Sequence, residues 1–311
     1  MTNRKIVFIG FSFFIFISLC LVPPQLPAAQ ITINSEEQFQ FAYKYLEKGE
    51  YLKAIIEFER FIYFFPDDPL TIKANYFIGL SNLLDKNYKS AREILGKIAQ
   101  ENRDQPIAVK SLFLIGESYY QERIFRDGER IFTIITETYP QSPYKDLSFY
   151  RLGWIYLREG KWQEASDVFH KVDKQDPLYS SSLNLSQNSL LGEDLKYKNP
   201  QTAGILAGIL PGLGHVYCER PQNGLVAFLL NGIFTWAAIE AFNDDQEVVG
   251  GILSLLEVGW YTGNIYSAVN SAHKYNRAQK NDLLKRLKDD LDLKLFFSKD
   301  IRAGLSLSFT F

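Results

Sequence analysis

Small and apolar side chains recur through the first half of the chain with a fixed period. One series runs Ala42, Gly79, Gly116 and Gly153, a second runs Ala54, Ala91, Gly128 and Ala165, and both step by 37 residues. Between them a short turn precedes an aromatic residue: Gly49-Glu-Tyr51, Lys86-Asn-Tyr88, Arg123-Ile-Phe125 and Gly160-Lys-Trp162. Apolar residues follow the second small position by four and seven places: Phe58 and Phe61, Leu95 and Ile98, Phe132 and Ile135, Phe169 and Val172. That is the spacing of one helical face. The pattern predicts four helical hairpins over residues 33–177. Each is too small to bury its apolar face alone, so the four stack into one continuous core with a curved surface. Pro66, Pro140 and Pro177 close three of the units.

This register resembles the tetratricopeptide repeat, in which small residues sit where two helices cross and a proline ends the unit. Two departures are visible: Arg103 stands where the second unit would carry its proline, and the period exceeds the usual 34 residues. The longer period is similar to that of exported bacterial members. The resemblance implies that the first helix of each hairpin lines a concave peptide groove. Carried onto this register, the groove positions are Phe39, Tyr43, Tyr76, Leu80, Phe113, Tyr120, Tyr150 and Trp154. Aromatic anchors of this kind suit capture of a protein or peptide partner. The same side chains can instead pack between repeats.

The pattern changes after residue 177. Leucines at 178, 183, 185, 190 and 191 predict a capping helix and linker over residues 178–199. Three apolar, glycine-rich stretches follow within residues 200–273: Ala203–Gly214, Leu225–Phe242 and Val248–Ala272. The last two are long enough to span a bilayer and the first is short. Gly204/Gly208 and Gly259/Gly263 stand four apart, a spacing that lets membrane helices approach closely. A buried helical domain is the alternative. The run Pro211-Gly-Leu-Gly-His-Val-Tyr217, with Arg220 and Gly224 after it, resembles the two-transmembrane-helix family, which implies no particular chemistry. Polar residues within the stretches, Asn231, Glu240, Glu257 and Asn264, would be costly against lipid and are expected to face a partner or an interface.

Loop charge sets an orientation. The loop at 243–247 carries Asp244, Asp245 and Glu247, whereas Lys274, Arg277, Lys280, Lys285 and Arg286 follow the third stretch. The positive-inside rule puts the basic tail in the cytoplasm and the acidic loop outside. An exported repeat domain then requires the short first stretch to cross as well. Residues 274–311 read as a charged amphipathic helix, with leucines at 283, 284, 287 and 291 at the membrane surface, and a terminal strand, IRAGLSLSFTF, alternating like an outer-membrane barrel signal.

The N-terminus fixes the compartment. Arg4 and Lys5 precede an uncharged run over residues 6–22 and prolines at 23, 24 and 27, so residues 1–29 have the layout of a signal peptide or an uncleaved anchor. Cys20 also leaves lipidation open. With 34 basic and 36 acidic side chains, no excess positive charge points to nucleic acid. Two cysteines and three histidines leave no ordinary zinc site, and no nucleophile, base and orienter come together. No catalytic residue, metal or cofactor is expected.

The expected protein is therefore all-α: a solenoid of four hairpins, a small helical membrane module and a short C-terminal strand. It would sit in a bacterial cell envelope, the repeat domain periplasmic and anchored in the inner membrane rather than the outer. Its partners would be a protein or peptide and membrane lipid. The alternative is an accessory subunit of a transporter or channel, with Glu257 and Asn264 lining a path.

Overall fold

The structure is a computed structural model that describes residues 34–287. The export segment at 1–29, Leu291 and the alternating strand at 301–311 lie outside the described residues. Among the described residues every regular element is helical.

Four antiparallel hairpins come first: α1 (Ser35–Glu47) with α2 (Tyr51–Phe64), α3 (Thr71–Leu84) with α4 (Tyr88–Glu101), α5 (Pro106–Glu122) with α6 (Phe125–Thr138), and α7 (Tyr144–Glu159) with α8 (Trp162–Phe169). The glycine of the first small series explains their closeness. A Cβ at Gly79 would lie 2.6 Å from the Leu95 side chain, one at Gly116 2.6 Å from Phe132, and one at Gly153 2.5 Å from Phe169. The apolar residue four places after the second small position therefore packs onto the bare backbone of its partner helix.

The turns repeat as well. Gly49, Lys86, Arg123 and Gly160 share one register position, and all four adopt positive φ, at 75°, 64°, 62° and 83°. The next N–H donates five residues back each time: Glu50 to Tyr45, Asn87 to Asn82, Ile124 to Tyr119 and Lys161 to Tyr156, at 2.8–2.9 Å. This closes the first helix with a left-handed cap that favours glycine. Lys86 and Arg123 hold that conformation against their own Cβ. Lys86→Gly and Arg123→Gly should each stabilise the domain by about 0.5–1 kcal/mol, read as a raised Tm; a lowered Tm would show that the long side chains hold the turn.

The last hairpin is covered by α9 (Tyr179–Ser189) and a 3-10 turn at Leu190–Gly192. Leu178 and Leu185 enter the core, while Leu190 and Leu191 stay exposed. The chain continues into α10 (Pro200–Ile209), α11 (Leu213–Tyr217), α12 (Pro221–Asn243) and α13 (Glu247–Arg286). Asn199 caps α10, accepting from the Gln201 and Thr202 N–H groups at 2.8 and 3.2 Å.

Two expectations are corrected here. The first apolar stretch is not one continuous helix: α10 has 10 residues, about 15 Å, and ends before Pro211 and Gly212, where φ reaches 92°. It lies along α13 instead, with Gly204 against Val269 and Gly208 against Ile265. The basic segment is also not on the far side from the repeats. It is the continuation of the 40-residue α13, whose Leu283 and Leu287 join the core of the last hairpin with Trp162 and Leu157. Lys280 Nζ donates to the Arg158 carbonyl at 3.1 Å. Leu283 and Leu287, predicted to lie at a membrane surface, thus pack on the last hairpin. The tip of the α12–α13 hairpin, at Asp244–Gln246, stands about 55 Å along the helix from Leu283.

Candidate functional site

All eight predicted groove residues are buried. Phe39, Tyr43, Tyr76 and Leu80 belong to the core of the first two hairpins, and Phe113, Tyr120, Tyr150 and Trp154 to that of the last two. The reason is that side chains of the first helices turn into their own hairpins: Phe39 lies against Phe58 and Phe61 of α2, and Tyr150 against Phe169 of α8, at ring distances of 5.4–5.7 Å. Phe113 sits between Phe132 and Tyr144 at ring distances of 5.6 and 5.3 Å. Burial pushes the Tyr76 phenol well above its ordinary value, and nearby Tyr144 adds to the shift; burial raises Tyr144 in the same way. These eight positions are core, not groove.

A polar network runs through this core. Arg151, 1% exposed, pairs with the fully buried Glu117 through its Nε. Its guanidinium lies 4.8 Å from the Tyr120 ring centroid, and the Tyr120 hydroxyl accepts from Arg158 Nε at 2.9 Å. The Arg158 carbonyl is the acceptor for Lys280, so one chain of contacts joins the third hairpin, the fourth and α13.

The exposed apolar surface of the repeats lies elsewhere, on the first hairpin. Leu52 is 62% exposed and Tyr63 80%, with Phe41, Ile56 and Phe64 also exposed. Sequence reasoning missed this patch, although its signal is present. Helix α2 has two apolar faces: Ala54, Phe58 and Phe61 point inward, and Leu52, Ile56 and Tyr63 stand on the other side.

In the hairpin module, Gly250, Glu257, Asn264 and Ser271 stand seven residues apart on α13 and face its neighbours. Gly250 packs on Phe242. Glu257 Oε1 is 3.5 Å from Thr235 Oγ1, Asn264 Nδ2 donates to the Ala207 carbonyl at 3.2 Å, and Ser271 Oγ is 3.2 Å from His215 Nδ1. Asn231 is buried on α12 and donates to the Ala227 carbonyl at 2.7 Å. Glu240 is exposed near the hairpin tip. Of the four polar residues singled out, three therefore face protein and one does not. Asn264 lines a cavity of 840 Å³ between α12 and α13, together with His215, Gln222, Asn223 and Trp260, and Glu257 is not in the wall of that cavity.

Where α13 leaves α12 for the repeats, a polar collar forms. Lys198 Nζ is 3.1 Å from Glu219 and 5.2 Å from the ring centroids of both Tyr217 and Tyr275. Asn276 exchanges two hydrogen bonds with the Lys198 backbone, each 2.8 Å. A second cluster joins His170 Nδ1, Ser186 Oγ and Ser166 Oγ at 2.5 and 2.9 Å. It has the residue types of a nucleophile and base, but Ser186 is fully buried and ties α9 to α8. Among the described residues no cluster of metal ligands occurs.

A sequence model of the tetratricopeptide repeat matches residues 147–178, the fourth hairpin. Comparison with curated proteins gave no match. Among solved structures, a tetratricopeptide repeat protein from Parabacteroides merdae is similar at 14% identity and TM-score 0.42, covering 81% of this chain and 98% of its own. A kinesin light chain protein of Podosopora anserina with nearly identical TPR-like repeats gives 14% and 0.42, covering 51% and 86%. The apo form of RapI gives 14% and 0.40, covering 91% and 94%. The tetratricopeptide architecture itself rests on the matched repeat, the constant register and the four equivalent turns.

Proposed function

We propose that this protein is a membrane-tethered scaffold of the bacterial cell envelope that holds a protein partner on its repeat domain. The observation that carries the reading is the composition of α13 along its length. Its second half buries Leu283 and Leu287 in the repeat core, and its first half, with α12, exposes large apolar side chains on several sides, among them Trp236, Ile239, Val248, Leu255 and Val258. Helix α12 has 23 residues, about 34 Å, and is apolar enough to cross a hydrocarbon core of about 30 Å. The Lys198–Tyr217–Tyr275 collar has the composition found at a membrane interface. The tether is thus one stiff helix and not a flexible linker.

A hairpin returns the chain to the side from which it entered. With the export layout of residues 1–29, this supports a reading in which the repeat domain and residues 274–287 lie together in the periplasm, anchored in the inner membrane. The partner surface is the exposed patch on α1 and α2, at the opposite end of the solenoid from the tether. Exposed aromatic and aliphatic residues of this density mark protein contacts.

The test is membrane fractionation of the full chain with an alkaline wash. Retention in the inner-membrane fraction is expected, and release by the wash would refute the tether. Photo-crosslinking at Phe41 in cells should trap a partner, and Leu52→Asp with Tyr63→Asp should remove the adduct without changing Tm. An adduct unchanged by both substitutions would refute the partner surface.

A further inference from the structure

The cavity between α12 and α13 is graded along its length. Gln222, Asn223, His215 and Ser267 form the end near the collar; Leu230, Leu256 and Trp260 form the end toward the hairpin tip. Its floor is the second glycine pair. Nothing lies within 4 Å of a Cβ built at Gly259 or Gly263, so among the described residues this pair packs on no helix, unlike Gly204 and Gly208.

The hydrogen bonds define what the polar end lacks. Ser271 Oγ donates its single proton to the Ser267 carbonyl at 2.9 Å. The 3.2 Å contact between His215 Nδ1 and Ser271 Oγ must then use the imidazole proton. That leaves His215 Nε2 as an acceptor with no partner among the described residues, on a side chain 3% exposed that lines the cavity. Asn264, 6% exposed and also in the wall, spends its amide N–H on Ala207, and its Oδ1 is buried without a partner. At the groove's polar end, beside Gln222, Asn223 and Ser267, these two acceptors ask for a donor, and a buried acceptor left unpaired is costly. No carboxylate lines the groove to attract a cation, and Arg220 adds positive charge beside His215.

We infer that this groove binds an amphiphile with an uncharged hydroxyl head, such as a mono- or diacylglycerol, its hydroxyl donating to His215 Nε2 and Asn264 and its chain running along Leu230, Leu256 and Trp260 toward the tip. The inference rests on the membrane reading of the hairpin.

The experiment uses the full chain in detergent micelles, with Trp236→Phe so that the remaining tryptophan outside the repeats is Trp260. A monoacylglycerol with a dibrominated chain should quench Trp260 saturably. The same lipid with both hydroxyls methylated should bind about tenfold more weakly, and Asn264→Leu should narrow that difference. Gly263→Leu fills the groove from open space and should abolish saturable quenching with Tm unchanged. Linear, non-saturating quenching in the parent chain would overturn the inference. Equal binding of the methylated lipid would overturn the donor assignment. Disulfide-linked dimers from Gly259→Cys would assign the groove to a second copy and overturn it too. The alkaline wash of the same preparation reports separately on the tether, so a soluble chain is told apart from a tethered chain with an empty groove.

Discussion

Phe113→Ala should cost the repeat domain about 3–5 kcal/mol. The side chain has no exposed surface and packs between Phe132 and Tyr144 in the cluster that unites the last two hairpins. Removing it loses the transfer free energy of the ring and leaves a cavity that stacked helices cannot collapse around. A domain of this size is stable by about 5–15 kcal/mol, so the change should be visible as a large fall in Tm. Phe41→Ala, on the exposed patch, should move Tm little. The pair separates core from binding surface. If Phe113→Ala kept its Tm and lost the partner, the concave groove would be restored as the site.

Arg151→Met should be comparably severe, about 3–5 kcal/mol, because it breaks the ion pair that Arg151 makes with the buried Glu117 carboxylate. Glu117→Leu combined with Arg151→Met should recover most of the loss, since an apolar pair of similar volume avoids desolvating two ions. The double-mutant cycle read by Tm gives the coupling directly. A double variant as unstable as the sum of the singles would mean that Arg151 acts mainly through its stacking on Tyr120. The network also leads through Arg158 to Lys280, so Arg151→Met should loosen α13 from the repeats, measurable as faster amide exchange around Leu283.

The arrangement suggests how a scaffold of this kind is positioned. A helix that is continuous from the hairpin tip into the last repeat fixes the direction of the solenoid relative to the α12–α13 hairpin. The exposed patch on α1 and α2 is then presented at the far end, three hairpins away.

Much of this was legible in the sequence because it follows from local period and chemistry. The 37-residue register specified the four hairpins, their crossing glycines and their turns, since helix spacing and the need for a small residue at a close crossing are set within one unit. The apolar runs at Leu225–Phe242 and Val248–Ala272 identified the hairpin helices for the same reason. What the repeat pattern could not say is which apolar face stays open. Tyr76 and Phe113 look like groove anchors until they are seen buried, Phe113 between Phe132 and Tyr144, and Leu52 and Tyr63 look like ordinary helix positions until they are seen to stay exposed among the described residues. The path of the chain after residue 200 was likewise decided only in three dimensions. The Pro211–Gly212 turn folds α10 back along α13, and Leu283 and Leu287 find their burial in the repeat core rather than at a surface. Period and composition act between residues close in sequence; the side on which a helix end is buried depends on partners more than 100 residues away, as between Arg158 and Lys280, and only packing decides it.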